Sequence, residues 1–140
     1  MSMSLERKLQ IPRQIYLKLL AQAVSELPNE CCGLLAGRDK RVTHRYPLVN
    51  ALSSPTRYES DPKLMFAAFK DMREQGTELV AIYHSHPTSD PVPSRTDLER
   101  NFYGSSVIHL IISLKDTEPV MRAWLLEETT FREAEWTLDE

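Results

Sequence analysis

One segment constrains the fold more than any other: the apolar run from Leu79 to Ile82, which leads almost directly into His84-Ser85-His86-Pro87. An unbroken apolar run is typical of a strand in the middle of a covered sheet. Residues two apart in a strand point to the same side, so His84 and His86 share a face, roughly 6.5–7 Å apart at the backbone. Pro87 ends the strand, and the pair therefore lies at its carboxyl end, where open α/β sheets place ligand sites.

Two imidazoles in this arrangement can bind one metal ion, each nitrogen about 2.0–2.1 Å from a zinc. Asp97 is the best candidate for a third ligand, because the short proline-rich loop 88–93 can bring the start of the next helix back over the strand end. Two histidines and a carboxylate with an open fourth position are typical of catalytic zinc. We therefore predict one zinc ion per chain, bound by His84, His86 and Asp97.

Hydrolysis at such a site also needs a general base and a donor to the oxyanion. Glu30 stands just before the glycine-bounded apolar segment 31–37, close in sequence to the flexible Gly33, and is the predicted base. Ser94 supplies the obvious hydroxyl near the metal. Glu30 and Ser94 are thus the predicted catalytic residues.

Each of these residues has a plainer interpretation when it is taken alone. His-x-His also occurs as ordinary polar residues at strand ends, and Glu30 alone would be a solvated residue before a strand. Ser94-x-x-Asp97 is also a capping box, although the same serine could cap a helix whose first-turn aspartate binds metal. The joint occurrence of all elements favours the metal site. A zinc deaminase is disfavoured, because its His-x-Glu and Pro-Cys-x-x-Cys motifs are absent.

The rest of the chain predicts a single mixed sheet flanked by helices, an α/β (α+β) fold in one domain spanning residues 1–140. Helices are expected from Pro12 to Pro28, from Asp61 to Gly76, and from Ser94 to Tyr103, the last closed by Gly104. Strands are expected at 31–37, 41–49, 79–86, 107–113, 120–126 and 131–136, with a loop at 50–60.

Composition limits the partners and the location. The net charge is −3 and no run of Lys or Arg occurs, so nucleic acid is not an expected partner. No apolar run approaches the ~20 residues that span a bilayer, and the polar start lacks a signal peptide, so we expect a cytoplasmic protein without membrane contact. The adjacent Cys31 and Cys32 are expected as buried strand residues. His109 is expected as a hydrogen-bonded core residue and Tyr58 as an ordinary loop aromatic.

Taken together, Glu30, His84-Ser85-His86-Pro87 and Ser94-Arg95-Thr96-Asp97 resemble the JAMM motif of the MPN-plus metalloproteases. That motif is an upstream Glu, then His-x-His-Pro, then Ser-x-x-Asp. The segment 29–35 is also similar to the family's segment around its Glu, and the resemblance extends over roughly Pro28 to Leu126. It implies a JAMM/MPN fold, distantly related to cytidine deaminases, and the size is that of the compact prokaryotic members.

The resemblance also implies roles and a function. It implies zinc ligands at His84, His86 and Asp97, an acid/base at Glu30 and an oxyanion-stabilising hydroxyl at Ser94. The implied activity is a zinc-dependent isopeptidase or peptidase that cleaves after the C-terminal Gly-Gly of a ubiquitin-like or sulfur-carrier protein. The alternative is a non-catalytic MPN-type scaffold, which the complete set of ligands disfavours. The oligomeric state stays open, with a homodimer as one option.

Overall fold

The computed structural model describes residues 8–140 and contains one eight-stranded mixed sheet with three helices. The strands are β1 (Leu9–Pro12), β2 (Cys32–Arg38), β3 (Arg41–Leu48), β4 (Glu78–His86), β5 (Ile108–Ser113), β6 (Val120–Leu126), β7 (Phe131–Ala134) and β8 (Trp136–Asp139). The helices are α1 (Arg13–Ser25), α2 (Pro62–Gln75) and α3 (Arg95–Glu99). No helix within these residues has the length and apolar character needed to cross a bilayer.

The strand order is β7-β6-β5-β4-β2-β3-β1-β8, so β4 lies in the middle of the sheet. It pairs in parallel with β5 and antiparallel with β2, which makes the sheet mixed, as predicted. Its residues from Val80 to His86 are all buried. The apolar run before the two histidines is therefore the central, covered strand that the sequence predicts.

The two helices of more than three turns cover opposite faces of the sheet. Leu19 and Ala23 of α1 belong to a core built with residues of β1 to β6, and Ala68 and Met72 of α2 belong to a second core against β2, β3 and β4. The predicted ends of α2 are confirmed. Asp61 Oδ1 accepts the backbone N–H of Lys63 at 2.8 Å, and Gly76 closes the helix at a φ of 73°.

The sheet is strongly curled. Strands β7 and β8 are separated in the chain by Glu135 alone, yet they occupy the two opposite ends of the strand order. In a flat sheet, eight strands about 4.8 Å apart would separate the outer strands by roughly 34 Å. A single linking residue spans at most about 7 Å between its two neighbours. The two edges therefore meet at Glu135, whose carbonyl accepts the Leu9 N–H at 3.0 Å.

Several predicted boundaries are wrong, each for a physical reason. The N-terminal strand β1 was not predicted, and the expected single strand at 131–136 is divided into β7 and β8, because β1 and β8 pair with each other. Helix α1 ends at Ser25, before Pro28. Helix α3 ends at Glu99 instead of Tyr103, because Asn101 Oδ1 accepts the Tyr103 N–H at 3.1 Å and draws the backbone into a turn.

Candidate metal centre

Three side chains predicted as zinc ligands converge on one point. His84 Nε2 lies 3.2 Å from His86 Nε2 and 3.2 Å from Asp97 Oδ1, and His86 Nε2 lies 3.3 Å from Asp97 Oδ2. Ligands bound about 2.0–2.1 Å from a tetrahedral zinc lie about 3.3 Å from one another. The three side chains therefore form a triangle in which each pair of facing atoms has the separation that a zinc site requires, and the donors are of the right chemical kind.

Strand β4 and the start of α3 bring these atoms together. His84 and His86 project from one face of β4, which is held in register by Cys32 of β2 and Ile111 of β5, the partners of His84. Asp97 lies in the first turn of α3. Both histidines are almost fully buried, with exposed fractions of 1% and 4%. The carboxyl end of the central strand is thus covered by the following helix, as the loop length predicts.

The capping-box interpretation of Ser94 and Asp97 is confirmed. Asp97 N–H donates to Ser94 Oγ at 3.1 Å, and Ser94 N–H donates to Asp97 Oδ2 at 2.8 Å. The same carboxylate faces both histidines, so the cap and the triangle share one group. Burial disfavours the charged form of Asp97, but His84, His86 and the Ser94 N–H together hold its pKa well below the usual range. Asp97 is therefore an anion at neutral pH, as a metal ligand must be.

The neighbours of the two histidines fix their orientation. His86 Nδ1 lies 2.8 Å from the carbonyl oxygen of Asp90, a contact that places the proton on Nδ1 and leaves Nε2 with a lone pair toward the triangle. The ring of Tyr58 stacks on His84 with 4.9 Å between centroids. His84 Nδ1 is buried without a hydrogen-bond partner among residues 8–140.

Glu30 is buried beside the triangle, with an exposed fraction of 4%, so its interpretation as a solvated residue is wrong. Burial raises its pKa to about 7; the charges of His84 and His86 oppose this shift, and that of Asp97 adds to it. Its Oε1 atom has no hydrogen-bond partner in the part of the chain that the structure describes. The carboxyl group can therefore gain or lose a proton near neutral pH.

Ser94 lies at the exposed rim of the site. Its oxygen accepts the Asp97 N–H, and a hydroxyl that accepts in this way still has its own hydrogen to donate. The Ser94 hydroxyl can therefore cap α3 and act as a donor at the same time.

A cavity of about 200 Å³ opens beside the triangle. His84 and Asp97 line it together with Tyr58 and His109, and its apolar wall includes Leu34, Met65, Ile82, Phe102 and Tyr103. Neither Tyr58 nor His109 was predicted to belong to the site. The β4–β5 register, which pairs Ile82 with His109, is the signal that places His109 on the face of His84.

The prediction for His109 is right about burial and wrong about hydrogen bonding at one atom. Its Nε2 atom has no partner among residues 8–140. Burial, together with the nearby charge of His84, lowers its pKa to about 4, so the ring is neutral at pH 7. His109 is thus a neutral imidazole in the wall of the cavity.

The two cysteines do not extend the site. Both are free and buried, and they belong to different cores on the two faces of the sheet, as alternation along β2 predicts. Burial raises the pKa of Cys31 to about 12 and that of Cys32 to about 11. Both are protonated thiols at neutral pH, and a metal ligand would have to be a thiolate.

A mixed sheet with a His-His-Asp triangle at the end of its central strand defines a JAB/MPN-type hydrolase domain. The family model described as prokaryotic homologues of the JAB domain matches residues 12–127, and the chain belongs to this family. The predicted resemblance to the JAMM/MPN proteins and the predicted fold class are thereby confirmed.

Curated relatives agree on the enzyme class. The desampylase of Pyrococcus furiosus is 36% identical over 82% of this chain and 79% of its own length. A probable TtuB-protein conjugate cleaving protease of Thermus thermophilus is 39% identical over 65% of this chain and 62% of its own length. A CysO-cysteine peptidase of Mycobacterium bovis is 36% identical over 58% of this chain and 57% of its own length. The chain is accordingly a hydrolase of the peptidase type, as predicted.

Solved structures agree on the fold. A protein from Desulfitobacterium hafniense, 38% identical, superposes with a TM-score of 0.85 over 94% of this chain and 92% of its own. A structure described as a metalloprotease-like zinc site in the proteasome and signalosome, named JAMM, gives a TM-score of 0.60 at 18% identity, over 96% of this chain and all of its own. At that identity the second likeness concerns the fold alone.

Proposed function

We propose that this protein is a zinc-dependent isopeptidase or peptidase that cleaves after the C-terminal Gly-Gly of a ubiquitin-like or sulfur-carrier protein. One observation carries the proposal: the buried triangle of His84, His86 and Asp97, with edges of 3.2–3.3 Å, lies beside the buried carboxyl of Glu30. A scaffold module has no need to bury two histidines and two carboxyl groups together, because burying charged groups is costly.

Three of these residues would hold the zinc ion. The donor set is two imidazole nitrogens and one carboxylate, and two of the three residues, His84 and Asp97, also line the cavity. Zinc bound by these three residues would supply a Lewis acid that lowers the pKa of a water molecule to about 7 and polarises a carbonyl group. The Asp90 carbonyl keeps the Nε2 lone pair of His86 directed toward the other two donor residues.

Glu30 and Ser94 move and hold protons in this proposal. A carboxyl with a pKa of about 7 is populated in both forms at neutral pH, so Glu30 can take a proton from the attacking water and return it to the departing amine. The Ser94 hydroxyl, whose oxygen accepts from Asp97 N–H, donates its hydrogen to the oxyanion that forms at the carbonyl.

The named relatives support the choice of substrate. The Thermus protein is named for the cleavage of TtuB–protein conjugates and the Mycobacterium protein for CysO–cysteine, so both names describe the release of a group joined to TtuB or to CysO. A diglycine tail has no side chains and can pass through a narrow opening in extended form. The cavity of about 200 Å³ beside the triangle is then available to a residue next to the tail.

The test compares wild type with Glu30→Gln on a fusion of a Gly-Gly-ended carrier and a peptide. We expect the substitution to lower kcat by about 10²–10⁴-fold, because it removes the general base and preserves the side-chain shape. Zinc content is measured on both proteins, and chelation followed by zinc return checks the metal requirement.

The matched control is Glu74→Gln, the same change on the exposed surface of α2, which should cleave at the wild-type rate. Equal cleavage by wild type and Glu30→Gln would remove Glu30 from the mechanism. A zinc-loaded wild-type protein that cleaves no carrier fusion would favour the scaffold.

A further inference from the structure

We propose that Asn50 is a positioning residue of this site, whose side-chain amide sets Glu30 against the histidine–aspartate triangle. The inference rests on the function proposed above. Asn50 lies two residues after the end of β3 and precedes the segment 51–59, which we call the covering loop, and it is a buried polar residue with an exposed fraction of 6%. It lies outside the motif that predicts the site.

Nearly the full hydrogen-bonding capacity of the Asn50 amide is used inside the protein. Nδ2 donates to the carbonyl oxygens of Glu30 at 3.1 Å and Arg57 at 3.0 Å, with a longer contact of 3.5 Å to Ser54. Oδ1 accepts the backbone N–H groups of Leu52 at 3.0 Å and Glu59 at 3.1 Å. An asparagine has two N–H hydrogens and two lone pairs, so the four shorter contacts of this one amide fix four backbone positions.

The contacts at the end of the covering loop hold Tyr58 from both sides. The preceding carbonyl, that of Arg57, and the following N–H, that of Glu59, both bind the amide of Asn50. The Glu59 carbonyl also accepts the Ala51 N–H at 2.8 Å. Tyr58 itself stacks on His84 and lines the cavity. Asn50 thereby sets the position of an aromatic ring that covers one of the three donor residues.

The contacts at the start of the covering loop hold Glu30. Its N–H donates to the Ser54 carbonyl at 2.8 Å, and its carbonyl accepts from Asn50 Nδ2. Its carboxyl Oε1 has no hydrogen-bond partner among residues 8–140. Within residues 8–140 the hydrogen bonds of Glu30 are made by its backbone, and that backbone is held by the covering loop and by Asn50.

A base that is anchored only through its backbone is sensitive to small displacements, since a shift of about 1 Å can cost roughly 10²-fold in rate. Loss of the Asn50 amide should then lower kcat through Glu30 and should do little when Glu30 is already disabled. A residue that merely stabilises the fold would lower the rate equally in both backgrounds. The double-mutant cycle separates the two cases.

The experiment measures kcat, KM and zinc content for wild type, Asn50→Ala, Glu30→Gln and the double variant, on the same carrier–peptide fusion, with single-turnover conditions for the slow variants. We expect Asn50→Ala to lower kcat about 10–100-fold, with KM changed less than about threefold and zinc retained. In the Glu30→Gln background the same change should cost less than about threefold.

Asn50→Asp is the second variant and decides the matter if Asn50→Ala does not fold. It keeps the acceptor for Leu52 and Glu59 and removes the donor to Glu30, so it should show the same loss of kcat and the same dependence on Glu30. The matched control is Asn101→Ala. Asn101 also holds a loop through its amide, to Gly104, Leu126 and Tyr103, but has no bond to Glu30, and its effect on rate should be equal in both backgrounds.

Two results would overturn the inference, and each is recognisable. If the Asn50 substitutions lower kcat by the same factor in both backgrounds, or do not lower it, Asn50 does not position Glu30, and the proposed function stands. If Glu30→Gln alone cleaves like wild type, the proposed function fails first, and the role of Asn50 fails with it.

Discussion

At the scale of single residues, the Asp97 carboxylate has two tasks, as a helix cap and as a candidate metal ligand. It closes the capping box of α3 through the Ser94 N–H, and it faces the Nε2 atoms of His84 and His86. The histidine pair was predictable because alternation along a strand is a local property. The burial of Glu30 was not, because it depends on contacts with a loop about 20 residues further along the chain.

Replacement of Asp97 by asparagine separates the two tasks. Asp97→Asn keeps an oxygen that can accept the Ser94 N–H but loses the negative charge that zinc requires of this ligand. We expect zinc affinity to fall by at least about 10²-fold. The free energy of unfolding of the zinc-free protein should fall as well, because the two histidines favour the charged form of Asp97, but the capping contact remains. Metal analysis after dialysis against a weak chelator and urea unfolding of the zinc-free proteins measure the two effects.

The control for this change is Asp90→Asn, in the loop before α3. The Asp90 side chain pairs with Lys115 on the surface, and only its backbone carbonyl contacts His86, so zinc should be retained. If Asp97→Asn held zinc as tightly as wild type, Asp97 would be a helix cap and no ligand.

At the scale of elements, the packing of β2 against β4 and α1 depends on a residue without a side chain. Gly33 pairs with Tyr83 across the two strands, and a Cβ atom at Gly33 would fall on the phenol ring of Tyr83. That ring is fully buried and donates its hydroxyl to Gln22 Oε1 of α1 at 2.6 Å. The glycine therefore makes room for the contact that joins the central strand to the helix.

Substitution of this glycine by alanine should overpack the core. We expect Gly33→Ala to lower the free energy of unfolding by about 1–3 kcal/mol, because the ring must shift and neighbouring side chains are close-packed. Denaturant unfolding measures the cost. In combination with Tyr83→Phe, which removes the atom nearest to the added methyl group, the total should be smaller than the sum of the two changes. A strictly additive total would show that the methyl group does not meet Tyr83.

The elements differ in how well the sequence predicts them. The ends of α2 were predictable because Asp61, Pro62 and Gly76 act on their own backbone. The C-terminal end of α3 was not, because Asn101 redirects the chain through a side-chain contact that competes with the helix. Strands β1 and β8 have four residues each and pair with each other. Neither segment is long enough to be predicted as a strand from its own sequence pattern.

At the scale of the whole molecule, the curl of the sheet is stabilised where its two ends meet. Trp136, the first residue of β8, donates its indole N–H to the Met121 carbonyl of β6 at 3.1 Å and packs its ring 5.5 Å from Tyr16 of α1. One side chain thus joins β8 at one end of the strand order, β6 next to the other end, and helix α1.

Removal of this side chain should lower the stability of the fold and leave zinc binding unchanged. Trp136→Ala is expected to lower the free energy of unfolding by about 2–3 kcal/mol, less than a fully buried tryptophan would cost, because Trp136 is half-buried. Zinc content should stay unchanged, since β4 lies in the middle of the sheet. Phe131→Ala, on β7 alone, is the control with an expected cost of about 1 kcal/mol. Equal losses in both variants would argue against a special role for the junction.

The same junction bears on aggregation. An open sheet normally presents two edge strands on distant sides of a molecule, each a template on which another chain can add a strand. Here both edge strands, β7 and β8, have four residues and meet at Glu135. The two edges on which another chain could add a strand therefore start at the same place on the surface. Charged residues interrupt them, Arg132 and Glu133 on one and Asp139 on the other, and charges on edges disfavour intermolecular pairing. The curl thus confines the surface on which these molecules could polymerise.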